Sequence, residues 1–182
     1  MRKILSKIFN KLFPSTSILD LLLSRGLIIG KNFSMQDEVI IDPSHCWHIK
    51  IGDDVTLAPR VYILAHDAST KRALGYTKIA KVEIGDRVFV GAGSIILPGV
   101  TIGDDVVVGA GSIVSSDIPS NSLVVGSPAK VVDSCSNYLE KRAKEMDKSP
   151  IFSAKYTIGQ GVSKELQHQM NEKMIDKIGY IV

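Results

Sequence analysis

From Ile84 onward an aliphatic residue returns at every sixth position: Ile84, Val90, Ile96, Ile102, Val108 and Val114. The slot after each holds Gly85, Gly91, Leu97, Gly103, Gly109 and Ser115. Four positions after each aliphatic come Val88, Ser94, Val100, Val106, Ser112 and Ile118. An upstream block keeps the pattern at Ile51, Leu57 and Ile63, while Ile29-Gly30 and Val125-Gly126 look like frayed ends. Ile, Leu and Val make up 53 of the 182 residues. Six in-phase hits therefore arise by chance with a frequency of roughly 6 in 10,000.

A period of six matches neither the 3.6 of an α-helix nor the plain alternation of a strand. It predicts an all-β solenoid, a left-handed parallel β-helix built from hexapeptide repeats. Each hexapeptide forms one flat side, and three sides close an 18-residue coil whose aliphatic residues point inward. The glycine in the next slot is read as the residue that turns the corner. Coils stack at the strand spacing of about 4.8 Å, which sets Ile84 against Ile102 and Val90 against Val108. The register is read as breaking once. Ile63 and Ile84 are 21 residues apart, so Ala65–Glu83 leaves the coil as a polar, basic loop. A regular solenoid that ejects one loop tends to place function there.

Residues 27–132 are thus assigned to the β-helix, with the ejected loop at 65–83. Residues 1–26 are read as short N-terminal helices, the first with Ile4, Leu5, Ile8, Phe9, Leu12 and Phe13 on one face and lysines on the other. Such a helix either packs on protein or lies on a membrane surface. Ser17-x-x-Asp20 is a capping box for a second helix that Gly26 ends and that plugs the first coil. Residues 133–182 read as a helical extension, with helices over 137–148 and 163–178, the latter striped by Leu166, Met170, Met174 and Ile178.

Charge narrows the partners. Residues 1–13 carry four basic side chains and no acid, leaving 18 basic against 19 acidic residues elsewhere. A near-neutral body lacks the basic face that tracks phosphates, which argues against nucleic acid. Cys46 and Cys135 form no CxxC pair, and no run approaches the length of a membrane span. The chain is expected in the cytoplasm, at the inner face of the membrane if residues 1–13 make a peripheral contact.

Candidate chemistry concentrates at His66, at the start of the ejected loop. A neutral imidazole accepts a proton from a hydroxyl near neutral pH; the plain alternative is a solvated loop histidine. His45, His48 and His66 have spacings that make a metal site thinkable, but with no evident second shell no metal is expected. Asp42-Pro43 reads as a corner turn and Trp47 as a packed aromatic. Arg72, Tyr76 and Lys78 read as a solvated basic loop, and Asp67 either orients His66 or is solvated with the loop.

The segments LAPRVYILAHDAST, VEIGDRVFVGAGSIILPGVTIGDDVVVGAGSIV and DIPSNSLVVGSPAKVV resemble those of the hexapeptide-repeat acyltransferases, in the branch of the sugar O-acetyltransferases. The likeness covers about residues 39–132. It implies a homotrimer with acetyl-CoA as acyl donor in clefts between neighbouring solenoids, and His66 as general base for direct attack by a sugar hydroxyl. It also implies Ala92, Ala110, Ser115, Ser116 and Lys130 as coenzyme contacts, Lys130 facing the 3′-phosphate. This chain departs from the pattern at Ser115-Ser116, where Thr-Lys is frequent, and at Asp133, where a second basic residue is expected. Asp42, His45, Trp47, Arg72 and Tyr76 are then acceptor residues, for a small-molecule or lipid-linked sugar of surface polysaccharide synthesis. The rival from another class is a non-catalytic trimeric scaffold or binding module, and a metal-dependent lyase comes third.

Overall fold

A computed structural model describes residues 17–182 of the chain. The amphipathic reading of residues 1–13 lies outside them. The described residues fall into two compact units, one ending at Cys135 and one running Ser136–Val182.

The first unit opens with the helix Ile18–Ser24, where Ser17 Oγ accepts from Asp20 N at 3.1 Å and Asp20 Oδ2 accepts from Ser17 N at 3.2 Å. This is the reciprocal capping box of the sequence. Leu22 is buried and joins the core beside Leu27 and Ile49.

From there the chain visits three parallel sheets in strict rotation. The first holds β1 (Ile28–Ile29), β4 (Ile49–Ile51), β9 (Val82–Ile84) and β12 (Thr101–Ile102). The second holds β2 (Ser34–Met35), β5 (Thr56–Leu57), β10 (Phe89–Val90), β13 (Val107–Val108), β15 (Ser122–Gly126) and the antiparallel closing strand β16 (Ala129–Ser134). The third holds β3 (Ile40–Ile41), β6 (Tyr62–Ile63), β11 (Ile95–Ile96) and β14 (Ile113–Val114). Ile84 pairs with Ile102, Val90 with Val108, and Ile96 with Val114, the 18-residue stacking that the period predicts. All six are buried, and a fully buried aliphatic of this size contributes about 1.5–3 kcal/mol.

Three details differ from the sequence reading. The register breaks three times: Ile41 pairs with Ile63, 22 residues on, Ile63 with Ile96, 33 residues on, and Val108 with Val124, 16 residues on. The loop is shorter than 65–83, since Val82 is already buried in β9. At the far end the slot over Val108 is Val124 rather than Val125.

The glycines of the repeat serve close approach rather than chain reversal. None of Gly30, Gly52, Gly85 or Gly103 has a positive φ; the left-handed residue comes two positions later, at Asn32, Asp54, Arg87 and Asp105, with φ between 54° and 56°. A Cβ on Gly52 or Gly85 would overlap Oδ1 of Asp86 or Asp104 in the following coil. Those carboxylates accept from the next backbone amide of the coil below: Asp53 N to Asp86 Oδ1, and Asp86 N to Asp104 Oδ1, both at 2.8 Å. The Gly-Asp pair is one device, the glycine leaving room for a clamp.

In the second unit, Tyr180–Ile181 pairs with Ile151–Phe152, and Phe152 is buried with Tyr156 edge-on at 5.2 Å. The helix Lys164–Lys173 starts at Ser163 as read, but stops short of 178; Leu166 and Met170 are half-buried and Ile178 is exposed. The helix Cys135–Met146 begins two residues earlier than its charge pattern suggested.

The clamp predicts a selective sensitivity. Gly85→Ala is expected to destabilise the protein by about 1–3 kcal/mol, the usual cost of overpacking. Gly159→Ala, where a Cβ meets nothing within 4 Å, is expected to stay within about 0.5 kcal/mol. Urea denaturation of both variants measures the difference.

Candidate functional site

The two insertions fall at the same corner of the coil, between the third sheet and the first. Residues 42–48 leave after Ile41, and residues 65–81 leave after Ile63 one coil higher. Because Ile41 lies directly under Ile63, the two excursions are stacked, and residues 24 apart in sequence meet.

Asp42 is the first residue of the lower excursion and is 1% exposed. Its Oδ1 accepts from Ser44 N at 3.0 Å and His45 N at 3.2 Å, and its Oδ2 from Ala65 N at 3.0 Å. His66 Nδ1 stands 2.5 Å from the same Oδ2. Burial pushes this carboxyl up, but the bonds from His66, Ala65 and Ser44 together outweigh it and hold the group below the ordinary carboxylate value. An ionised carboxylate only accepts, so Nδ1 carries the imidazole proton and Nε2 is left with the basic lone pair. The His66 side chain is 34% exposed, enough for that nitrogen to meet a ligand.

This corrects the sequence reading of Asp67. Its Oδ1 accepts from Ser69 N at 2.8 Å and shapes the loop instead of orienting His66. Asp42 holds the ring, and the 22-residue Ile41-to-Ile63 spacing is the signal that would have stacked it there.

The loop leaves the coil as a two-stranded hairpin, β7 (His66–Asp67) against β8 (Lys78–Ile79), with a short helix Lys71–Leu74 at its tip. His66 thus lies at the root, where it lines the first of two nearby recesses. One, of about 420 Å³, is lined by Leu64, His66, Ala68, Lys78, Pro98 and Ser115. The other, of about 200 Å³, is lined by Trp47, His48, Lys50, Lys81, Glu83 and Ile28. His45 stands next to His66 with ring centres 5.0 Å apart and Trp47 5.3 Å beyond it. Trp47 is 52% exposed, so it is a surface aromatic rather than a packed one. Lys50 and Lys81 escaped the sequence reading, and His48 entered it only as a candidate metal ligand.

The remaining expected residues are dispersed. Arg72 and Tyr76 lie at the hairpin tip and line neither recess; Tyr76 is 80% exposed. Ser115 and Ser116 follow β14 at the His66 corner. Ala92 and Ala110 stack on a different corner, between the second and third sheets, where Gly111 N donates to Ala92 O at 2.8 Å. Lys130 is on β16, paired with Val125. Cys46 is buried with Sγ 3.6 Å from Leu22 O, away from any reacting position. Among the described residues no helix is long and apolar enough to cross a membrane.

Comparison with known proteins agrees with this architecture. Residues 81–116 match the family described as the hexapeptide repeat of succinyl-transferase. Protein CapG of Staphylococcus aureus is 37% identical over 149 residues, covering 79% of this chain and 86% of CapG. Two further curated relatives are spanned over 44% and 47% of their length. Among solved structures, a galactoside acetyltransferase in complex with coenzyme A superposes with a TM-score of 0.55 at 36% identity, covering 62% of this chain and 56% of that one. A hexapeptide-repeat acetyltransferase from Vibrio cholerae, complexed with acetyl coenzyme A, gives 0.53 at 32% identity and 59% of each chain. With the repeat, the stacked coils and a relative matched over most of its length, the chain belongs to the hexapeptide-repeat acyltransferases.

Proposed function

We propose that the protein is an acetyl-CoA-dependent O-acetyltransferase that acylates a sugar hydroxyl in surface polysaccharide synthesis, on a left-handed coil, with His66 as general base. The observation that carries this reading is the bond from His66 Nδ1 to buried Asp42, which fixes the tautomer with Nε2 basic on a ring that lines the larger recess.

The larger recess suits the donor. Leu64, Leu97 and Pro98 offer an apolar wall, and Ser115 a hydroxyl, beside His66. Bound acetyl-CoA supplies an activated acyl group as a thioester. Trp47 presents an open aromatic face for a sugar ring, with His45 between it and the base, while Asp42, expected at the acceptor, is buried and holds the base instead. His66 Nε2 takes the proton of the acceptor hydroxyl as that oxygen bonds to the thioester carbonyl carbon. The C–S bond then breaks, and the imidazolium returns the proton to the departing sulfur. The oxygen is acylated directly, so neither cysteine is used.

The split of the remaining contacts supports a homotrimer. Ser115 and Ser116 share the His66 corner, whereas Ala92 and Ala110 occupy another, so a donor touching both sets bridges two chains. Lys130 is assigned to the 3′-phosphate. Arg72 and Tyr76, at the tip of a projecting hairpin, reach an acceptor only across such a cleft. A cytoplasmic protein touching the inner membrane face through residues 1–13 would meet lipid-linked acceptors.

Turnover of acetyl-CoA against a panel of sugars tests the reading. His66→Ala is expected to lower sugar-stimulated CoA release by about 10²–10⁴-fold, with the trimer and CoA binding retained. Absence of CoA binding and release in the wild type would replace the enzyme by a trimeric scaffold. Asp42 is a positioning residue, so Asp42→Asn is expected to reduce kcat by about 10²-fold or more with KM little changed, and to lower Tm as well, because an amide nitrogen would face buried donors. Asp67→Asn is expected to remain within about threefold of wild type by the same kinetics.

A further inference from the structure

Asp42, His45 and His66 each offer one ligand atom, and the three atoms lie within 4.8 Å of one another. Among the described residues this is the one such trio of His, Cys, Asp or Glu. Two imidazoles and a carboxylate form a donor set of the zinc class. The Asp42 charge offsets half that of a divalent ion, and its bonds from Ala65 and Ser44 anchor it as a ligand's outer contacts do.

A second observation points the same way. His45 Nδ1 is buried and has no hydrogen-bond partner. A buried imidazole nitrogen left unpaired costs free energy that a ligand would recover. Ligands at about 2.0–2.2 Å around a tetrahedral centre stand about 3.3 Å apart, so no pair of the trio has to close by more than about 1.5 Å. His45 can move: its ring lies parallel to His48 and tilted against Trp47, with no bond to that nitrogen.

We infer that Asp42, His45 and His66 form a binding site for a zinc-class divalent ion that reversibly blocks the proposed transfer reaction. A neutral imidazole has one basic lone pair. To share the ion with Asp42 the ring must turn a bare Nδ1 to it, so its single proton passes to Nε2 and the ring can no longer take the proton of an acceptor hydroxyl. The binding half stands on the side-chain geometry alone; the inhibitory half rests on the assignment of His66 as base.

Tag-free protein is titrated with cobalt, read by its visible ligand-field bands, and with zinc in competition and by calorimetry. One ion per chain is expected, with affinity reduced at least tenfold in His45→Gln and in His66→Gln, and unchanged in His168→Ala, which removes the exposed His168–Glu172 pair. Circular dichroism verifies that each variant is folded. Zinc is expected to suppress acetyl transfer and EDTA to restore it. The absence of saturable one-to-one binding at millimolar zinc, or equal affinity in wild type and His45→Gln, would overturn the site. Binding with transfer unimpaired would overturn the inhibition. The cobalt spectrum is read without substrate, so a protein that binds cobalt but transfers no acetyl group contradicts the proposed activity and leaves the ion site standing.

Discussion

Each coil of this protein hangs on the next through backbone hydrogen bonds that admit no slippage. Gly30 N donates to Ile51 O, Gly52 N to Ile84 O, Gly85 N to Ile102 O and Gly103 N to Ile118 O, all between 2.8 and 2.9 Å. A slip of one residue would turn every inward aliphatic outward, so surplus residues have nowhere to go along a side. They must leave at a corner and return to the same register. Residues 42–48 and 65–81 do so at one corner in successive coils, and His66 stands where the second departs.

Stacking also explains how a carboxylate came to be buried. An ion taken out of water is costly unless its lone pairs are met. The amides of Ser44 and His45 from its own excursion, and of Ala65 from the coil above, surround Asp42. His66 completes the set. The acid therefore joins the two excursions, and the precision of the imidazole is inherited from the precision of the coil.

The period-six aliphatics made the solenoid legible because the core of a β-helix repeats the same physical demand at every coil. His66 was legible for the complementary reason, as a polar residue where the repetition fails. Asp42 as its partner was hidden, since the short lower break lies between isolated hits at Ile29 and Ile51 and mimics a loss of pattern. Asp67, adjacent in sequence, looked like the natural partner, yet a strand alternates its side chains and sends neighbours apart. The glycine slots were recognised, but their reason was not: a left-handed turn and a tight contact demand the same residue, and only coordinates separate them. Ser115 fell beside His66, whereas Ala92 and Ala110 lie a full side away, because a linear motif does not say which corner it occupies.

The stacked clamps on the opposite edge carry a consequence for lineage. Asp53, Asp86 and Asp104 each hold the amide of the preceding coil, and Ser120 Oγ does the same for Asp104 N at 3.0 Å. Every coil thus brings the fastening for its predecessor and asks nothing of coils further away. Duplication or deletion of one whole coil leaves each joint intact, and the hydroxyl of Ser120 ends the row without another charge. Solenoids of this design can change length by unit steps while the corner bearing the histidine stays as it is.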